Sequence, residues 1–452
     1  MGQRISHWAE WETLSREELK KSQWHALKLK LDYLWNNSEY YRHRLQRAKV
    51  TLDKIRTEDD FRKRIPCMYK QDLISDQEKE PPWGARLSVR PKQVSQVYLT
   101  SGTAGTGQEV HCLTEVDLEL SSSGSALGAY WAGIREGQSV CMMLPVGTTG
   151  ASVGTFLGLR QLRSNVFSLG PYDTQTRIRL LKTFQIQYIN GIGAVYFTHL
   201  TSMMQEQGID PRKDLSVKAI VVMGPYPVEW AKRMEDVWGA KLHELYGITQ
   251  AVSTVGHTCE LGAVPEGKRG CIHLFEPWNY FEIIAPDTGE QVKPGEEGEL
   301  VVTSISRTAS PVLRFAIRDK VVYVPYDHCD CGRPLDGIEA GTIQRYDDML
   351  KIRQTNVWPA AVDEVVFEHA EVVEYQGNVW VDEQGREHVL VKVEYQPDCS
   401  VDLRSQIQRE LEVELRNRTG VRMDVEETPP GNLPRYDWKP KRWIDKRMKG
   451  LV

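Results

Sequence analysis

From Leu14 to Ala48 apolar positions recur at helical spacing through a highly charged stretch, among them Leu19, Trp24, Leu27, Leu31 and Trp35. That periodicity predicts amphipathic helices forming the outer skin of something larger. From about Val94 the pattern changes to short β-branched runs at residues 94–99, 139–144, 165–168, 186–190, 219–223 and 241–245, separated by longer helical stretches. Strand and helix in alternation predict an α/β sheet with parallel pairing. After residue 255 the runs 280–284, 298–303 and 320–324 follow one another with turns such as Pro286-Asp287-Thr288-Gly289 and Pro294-Gly295 between them. This predicts a β-rich subdomain. Runs at 372–381 and 387–394 and a helical 401–418 then read as a compact α+β unit of about 100 residues. The boundary is expected at Arg345 to Asp348, dividing residues 1–345 from residues 346–452.

The 452 residues amount to about three domain-sized units. Sixty-two acidic against 57 basic residues leave a net charge of −5, which gives no electrostatic reason to expect a nucleic-acid partner. Hydrophobic residues at 40% and charged residues at 26% are the mixture of a folded globular chain and exclude global disorder. No window approaches the roughly 18 apolar residues of a membrane span, so no membrane is expected. Met1-Gly2-Gln3-Arg4-Ile5-Ser6 lacks the apolar segment of a secretory signal; it fits a loose acylation pattern, but an ordinary soluble terminus is the expectation. Eight cysteines in so long a chain are too sparse for a disulfide scaffold, and a reducing, cytoplasmic location is expected.

Two segments suggest chemistry. Tyr98-Leu99-Thr100-Ser101-Gly102-Thr103-Ala104-Gly105-Thr106-Gly107-Gln108 is a strand followed by tiny and hydroxylated residues. Its backbone N–H groups could converge on a phosphate, although Gln108 stands where a Walker loop has lysine, and composition alone equally fits a surface loop. Cys259, His273, Cys329 and Cys331 offer thiolate and imidazole ligands suited to tetrahedral zinc. Their spacing is non-standard, Cys271, His257 and His328 compete, and a group of reduced buried thiols is the alternative.

A series of motifs in order extends over nearly the whole chain: Pro66-Cys67-Met68-Tyr69-Lys70-Gln71-Asp72-Leu73, the Thr-Ser-Gly-Thr-Ala-Gly loop, Glu244-Leu245-Tyr246-Gly247-Ile248-Thr249, Leu313-Arg314-Phe315-Ala316-Ile317-Arg318-Asp319, Arg345-Tyr346-Asp347-Asp348-Met349-Leu350, Asn356-Val357-Trp358-Pro359, and Leu433-Pro434-Arg435 with Lys439. Together they resemble the adenylate-forming superfamily, and most of all the phenylacetate-CoA ligase family. The resemblance implies a large N-terminal domain and a small mobile C-terminal one, with ATP and an aromatic or compact carboxylic acid between them. The acid would be activated as an acyl-adenylate with loss of pyrophosphate and passed to the thiol of coenzyme A. Charge must be cancelled on two anions that are to react, which backbone donors, a magnesium ion and a lysine would do.

Carried over by resemblance, Ser101, Gly102, Thr103 and Gly105 hold phosphate oxygens and Thr249 approaches the α-phosphate. Tyr246 and Gly247 border adenine and the acyl pocket, with Gly224 and Pro225 beside them and Gly147 lining the pocket. Asp319 accepts from the ribose hydroxyls, since an ionised carboxylate only accepts. Arg345 contacts the ribose, Asp347 is the hinge, and Lys439 bridges the carboxylate and the α-phosphate. Some relatives bind a structural zinc through a similar Cys, His and Cys-x-Cys set. The chain departs from the pattern at Thr106-Gly107 in place of Lys-Pro, at Tyr226 in place of Glu, at Gln354 in place of Gly, and at Gln250, a neutral residue where a glutamate helps hold magnesium. Alternatives are transfer of the acyl group to an amine or carrier-protein thiol, favoured by Gln354, and a non-catalytic nucleotide-binding relative, favoured by Gln250. Expected partners are the acid, ATP and coenzyme A, and a homodimer is left open.

Overall fold

The computed structural model describes residues 7–100, 108–147, 150–251, 253–346, 349–352, 355–382, 387–436 and 440–447. The N-terminal periodicity becomes two helices, Arg16–Asn37 and Glu39–Arg47. Ser38 separates them, its hydroxyl accepting the Tyr41 N–H at 3.4 Å to cap the second. Leu27, Leu31, Leu34, Tyr41 and Leu45 enter a core shared with Leu300, Val302 and Phe315, so these helices close one wall of the antiparallel part of the molecule.

A twelve-stranded sheet organises most of the chain. Its parallel half runs in the order Asn165–Ser168, Ser139–Met142, Tyr188–Gly193, Ala219–Met223 and Lys241–Ile248. Helices Gly150–Gln161, Thr174–Thr183, Ala194–Glu206 and Val228–Trp238 make the crossovers that parallel pairing demands. Successive strand residues bury on opposite faces: Ile189 and Ile220 join Phe197, Trp230 and Trp238, while their neighbours Tyr188 and Ala219 join Ala126 and Leu159. Lys241–Ile248 pairs parallel on one edge and antiparallel with Ser253–Thr258 on the other. Beyond it Cys271–Leu274, Gly337–Glu339, Phe315–Val324, Glu297–Ser304 and Asn279–Ile284 continue antiparallel, as expected of a β-rich subdomain.

The run at 94–99 departs from expectation. Its strand, Gln96–Leu99, pairs antiparallel with Val110–Leu113 in a separate two-stranded ribbon and takes no place in the parallel sheet. The physical reason is the short connection, which allows an antiparallel return but no helical crossover. In the sequence the glycine-rich residues 101–107 fall between the ribbon's two arms.

The C-terminal unit has its own four-stranded sheet, in the order Asp424–Glu427, Glu387–Tyr395, Val372–Val381 and Trp443–Asp445, covered by Pro359–Glu368 and Val401–Thr419. Its core, including Val366, Val379, Val391 and Leu411, is separate from the others. It touches the larger sheet where Arg269 lies 3.6 Å from Glu364 and where the Lys320 ammonium stands 4.5 Å from the Trp358 ring centre. Among the described residues no helix is long and apolar enough to cross a membrane.

Helix Glu115–Trp131 packs on strand Ser253–Thr258 through small residues. A Cβ at Gly128 would lie 2.4 Å from Cδ2 of the buried His257 ring. Gly128→Val is therefore expected to cost about 1–3 kcal/mol by overpacking. Urea unfolding measures this, and an unchanged midpoint would contradict the contact.

Candidate functional site

The switch from parallel to antiparallel pairing at Lys241–Ile248 brings distant residues to one corner. Tyr246, near the end of that strand, donates its hydroxyl to Asp319 Oδ2 at 2.6 Å. Arg345 faces Asp319 across the ladder between Phe315–Val324 and Gln344–Arg345, with Nη1 at 3.2 Å from Oδ1. Burial, and then the Asp319 carboxylate, raise the Tyr246 phenol well above its ordinary range, so it stays a donor. Three residues assigned to nucleotide binding by resemblance are thus joined in one chain of contacts.

Beside them the turn after Ala219–Met223 carries Gly224, at φ +96° and with open space where a Cβ would stand. A left-handed backbone facing open space suits close approach of a ligand. Pro225 follows, and then Tyr226, which is buried and donates its hydroxyl to Glu244 Oε2 at 2.7 Å. The same oxygen accepts the Gly341 N–H at 2.7 Å. Burial pushes the Glu244 carboxyl up to about 7 against these two bonds.

The turn after Ile248 holds Thr249 and Gln250. Buried Arg307 donates to the carbonyls of Thr249 and Ala251, each at 2.8 Å, and to that of Cys112 in the ribbon at 3.4 Å. Gln250 donates Nε2 to Glu109 Oε2 at 2.6 Å. Glu109 also pairs with His111 Nε2 at 3.0 Å, and Lys70 of the Pro-Cys-x-x-Lys segment lies 3.9 Å from its other oxygen. Burial raises the Glu109 carboxyl, but the hydrogen bonds from His111 and Gln250 outweigh it and hold it below the ordinary range. Burial lowers His111 to about 4, so the ring is neutral near pH 7.

The described residues on either side of 437–439 in the sequence are anchored by ion pairs. Arg435 makes paired bonds of 2.9 and 2.6 Å to Glu394, and buried Arg442 bonds Glu374 at 2.6 Å and Asp363 at 3.2 Å. Bidentate arginine–carboxylate pairs fix orientation as well as position.

A second site lies at the end of Ser253–Thr258. Candidate ligand atoms of Cys259, His273, Cys329 and Cys331 all fall within 4.8 Å of one another. The Cys259 and Cys329 sulfurs are 3.7 Å apart, and Cys331 Sγ is 3.3 Å from His273 Nε2. Tetrahedral zinc with bonds of about 2.3 Å to sulfur requires sulfur–sulfur edges of about 3.8 Å, so the donor set fits that ion. Hydrogen bonds with Cys259 and Cys329, and the His273 ring, hold the Cys331 thiol far below its ordinary range. Of the competitors, Cys271 stands behind His273 at 3.8 Å from Nδ1, and His257 turns its Nδ1 to the Thr258 carbonyl at 2.7 Å.

The sequence-derived assignments therefore divide. Tyr246, Asp319 and Arg345 converge, as do the four candidate ligands Cys259, His273, Cys329 and Cys331. Gly224 and Pro225 lie in the turn whose next residue, Tyr226, accepts no glutamate role but donates to one. Gly247 is exposed beside Tyr246, and Thr249 is held by its carbonyl. Gly147 is exposed, with its N–H 3.3 Å from Ser152 Oγ, and is not joined to the Tyr246 corner. Ser101, Gly102, Thr103, Gly105, Asp347, Gln354 and Lys439 lie outside the described residues. Missed in the sequence were Glu109, Arg307 and Glu244. Glu109 carried a signal in its place just after the glycine-rich run and Glu244 in opening the Glu244–Thr249 motif, while Arg307 carried none.

The AMP-binding enzyme model matches residues 41–308, and the AMP-binding enzyme C-terminal domain model matches residues 354–447. The chain belongs to the AMP-binding enzyme family. Phenylacetate-coenzyme A ligase of Thermus thermophilus is 28% identical over 97% of this chain and 99% of its own length. That of Aromatoleum evansii is 28% identical over 97% of each. Crystalline 2-hydroxyisobutyryl-CoA ligase in the postadenylation state, bound to R3-HIB-AMP, superposes with a TM-score of 0.87 at 23% identity, covering 97% of this chain and 92% of the other. The fold expected from the motifs is thus the fold observed.

Glu244 gives the site a pH signature. Its carboxyl moves from 4.5 to about 7 on folding, so between these values the native state binds the extra proton. Its contribution is unfavourable above the unfolded value, and stability falls as pH rises through that window. Glu244→Gln should flatten this slope, by an amount on the order of 1–3 kcal/mol between pH 5 and pH 7.5 in urea unfolding. Parallel pH profiles for the two forms would refute the assignment.

Proposed function

We propose that the protein is an ATP-dependent acid–CoA ligase of the phenylacetate-CoA ligase type, which activates an aromatic or similarly compact carboxylic acid as acyl-AMP and then forms the thioester. The hydrogen-bonded corner of Tyr246, Asp319 and Arg345 carries the reading, because it joins motifs that are far apart in sequence. Full-length similarity to phenylacetate-coenzyme A ligases supports it.

In this reading residues 1–345 bind ATP and the acid, and residues 346–452 move about Asp347. Asp319 and Arg345 hold the ribose, and Tyr246 and Gly247 border adenine and the acid with Gly224, Pro225 and Gly147. Ser101, Gly102, Thr103 and Gly105 hold phosphate oxygens, and Thr249 meets the α-phosphate. Lys439 would stand between the two anions and cancel the charge that keeps them apart. Magnesium would be held at the Thr249-Gln250 turn, whose hydroxyl and amide oxygens are hard donors, and when bound would neutralise phosphate charge.

The four-residue thiol and imidazole set holds a structural zinc, since four protein ligands leave no open position. A cytoplasmic location is part of this reading, supported by eight cysteines too sparse for a disulfide scaffold. A second reading, transfer to an amine or a carrier-protein thiol, is favoured by Gln354 where glycine would let the pantetheine arm pass. Coenzyme A turnover against acid-dependent pyrophosphate exchange separates the two.

Lys439→Ala should lower acid-dependent ATP–pyrophosphate exchange about a hundredfold, the scale of one preorganised electrostatic group. Thioester formation from supplied acyl-adenylate should fall far less, and equal losses would sink the role. Exchange with no acid of a broad panel would remove the ligase reading itself.

Purified protein should hold about one zinc per chain, and Cys331→Ser should lower both zinc content and melting temperature. Metal-free protein of unchanged stability would reduce the cluster to ordinary thiols.

A further inference from the structure

The neutral residue at position 250 is the largest chemical departure in the nucleotide site, and Glu109 lies against it. Thr100 and Glu109, which flank residues 101–107 in the sequence, bond to each other: Thr100 N–H donates to the Glu109 carbonyl at 3.1 Å, and Glu109 N–H donates to Thr100 Oγ1 at 2.9 Å. The Glu109 residue is 2% exposed, so its carboxylate has a fixed direction. On the other side the backbone around Gln250 is fixed by the two Arg307 bonds to Thr249 and Ala251. Two rigid supports thus hold the 2.6 Å contact between the Gln250 amide nitrogen and Glu109.

A carboxylate only accepts, so it selects the nitrogen end of the amide and leaves Oε1 on the far side of the same planar group. Free rotation would let either end face a ligand. The contact removes that freedom. It also sets a full negative charge one side chain behind the amide. Lys70, 3.9 Å from the other Glu109 oxygen, offsets part of that charge from one side; toward Gln250 the carboxylate still favours a cation over a bare phosphate. A hard oxygen donor backed by a carboxylate is the arrangement that orients and strengthens a metal ligand.

We propose that Glu109 is a positioning residue for the magnesium–nucleotide site, fixing Gln250 so that Oε1 faces the cation and supplying from behind the negative charge that position 250 lacks. This deepens the ligase reading and rests on it. Glu109 itself touches neither nucleotide nor acid. The arrangement also means that a carboxylate restored at position 250 alone would meet a second one at hydrogen-bond distance, so the two positions can exchange chemistry only together.

The test is binding, not turnover: calorimetric titration of the full chain with ATP at a series of magnesium concentrations, without acid or coenzyme A. Glu109→Gln should raise the magnesium needed for half-maximal binding by about tenfold to a hundredfold, the scale for removing a group behind a metal ligand. Binding in the presence of a chelator should not weaken. Gln250→Glu alone should also bind worse than the natural chain, while Glu109→Gln with Gln250→Glu should recover the natural requirement to within about threefold. A merely structural role would move the melting temperature and leave the magnesium dependence in place. An unchanged magnesium requirement in folded Glu109→Gln, or a double variant no better than the worse single one, would overturn the assignment alone. Failure of the natural chain to bind ATP at any magnesium concentration would overturn the ligase reading with it.

Discussion

A buried guanidinium must find acceptors or it cannot stay buried. Arg307 is 1% exposed, and burial lowers it to about 10, which still leaves it protonated near pH 7. It finds backbone carbonyls at Thr249, Ala251 and Cys112, and so ties the turn after the switch strand to the ribbon that bears the glycine-rich loop. Its own carbonyl accepts from the buried Lys30 ammonium at 2.7 Å, which brings the first helix to the same point. The next two residues belong to the same node: Asp117 accepts from the Thr308 N–H, the Thr308 hydroxyl and the Ala309 N–H at 2.7, 2.8 and 2.9 Å. Segment 307–309 thereby fixes the turn after Ile248, the ribbon and helix Glu115–Trp131 relative to one another.

The strand bearing Asp319 shows how direction is imposed. Arg314 and Arg318 have φ of +46° and +68°, which costs a non-glycine residue about 1–3 kcal/mol. Arg314 is held there by two bonds to Glu282, at 3.0 and 2.8 Å, and by the carbonyls of Arg62 and Ile65. The register shifts between Glu299 and Val301 on the neighbouring strand. A bulge and two left-handed residues turn the strand locally, and Asp319 emerges facing Tyr246.

The thiol cluster is embedded in a similar web. Arg333, fully buried, bonds Glu260 through both Nη atoms at 2.7 and 2.8 Å and Glu12 at 2.8 Å, and its guanidinium lies 4.3 Å from the Trp131 ring centre. Trp131 meets His273 edge-on. Nearby, Arg16 pairs with Glu276 and Asp336. Buried ion pairs return little net stability, but they reject alternative arrangements that would strand a charge. Here they fix the Cys329-Cys331 loop against the first turn of the chain and the end of the central strand.

Much of this protein was legible in its sequence because the signals are local. Period-2 and helical spacing place the strands and helices, glycine and hydroxyl density marks the loop, and ordered motifs name Tyr246, Asp319 and Arg345 before they are seen to touch. The clustered cysteines and histidine were legible as candidate ligand types, although their spacing could not say that four of them share one point. What only tertiary structure decided is pairing. The 94–99 run became one arm of a ribbon because of where its partner lay, and Glu109, Glu244 and Arg307 gained meaning from neighbours 141, 18 and 58 residues away. Hydrophobic periodicity reports which face of an element is buried. It carries no record of which buried polar group will meet which, because that depends on how separately specified elements stack, and a carboxylate or guanidinium takes its protonation and its role from the partners it meets there.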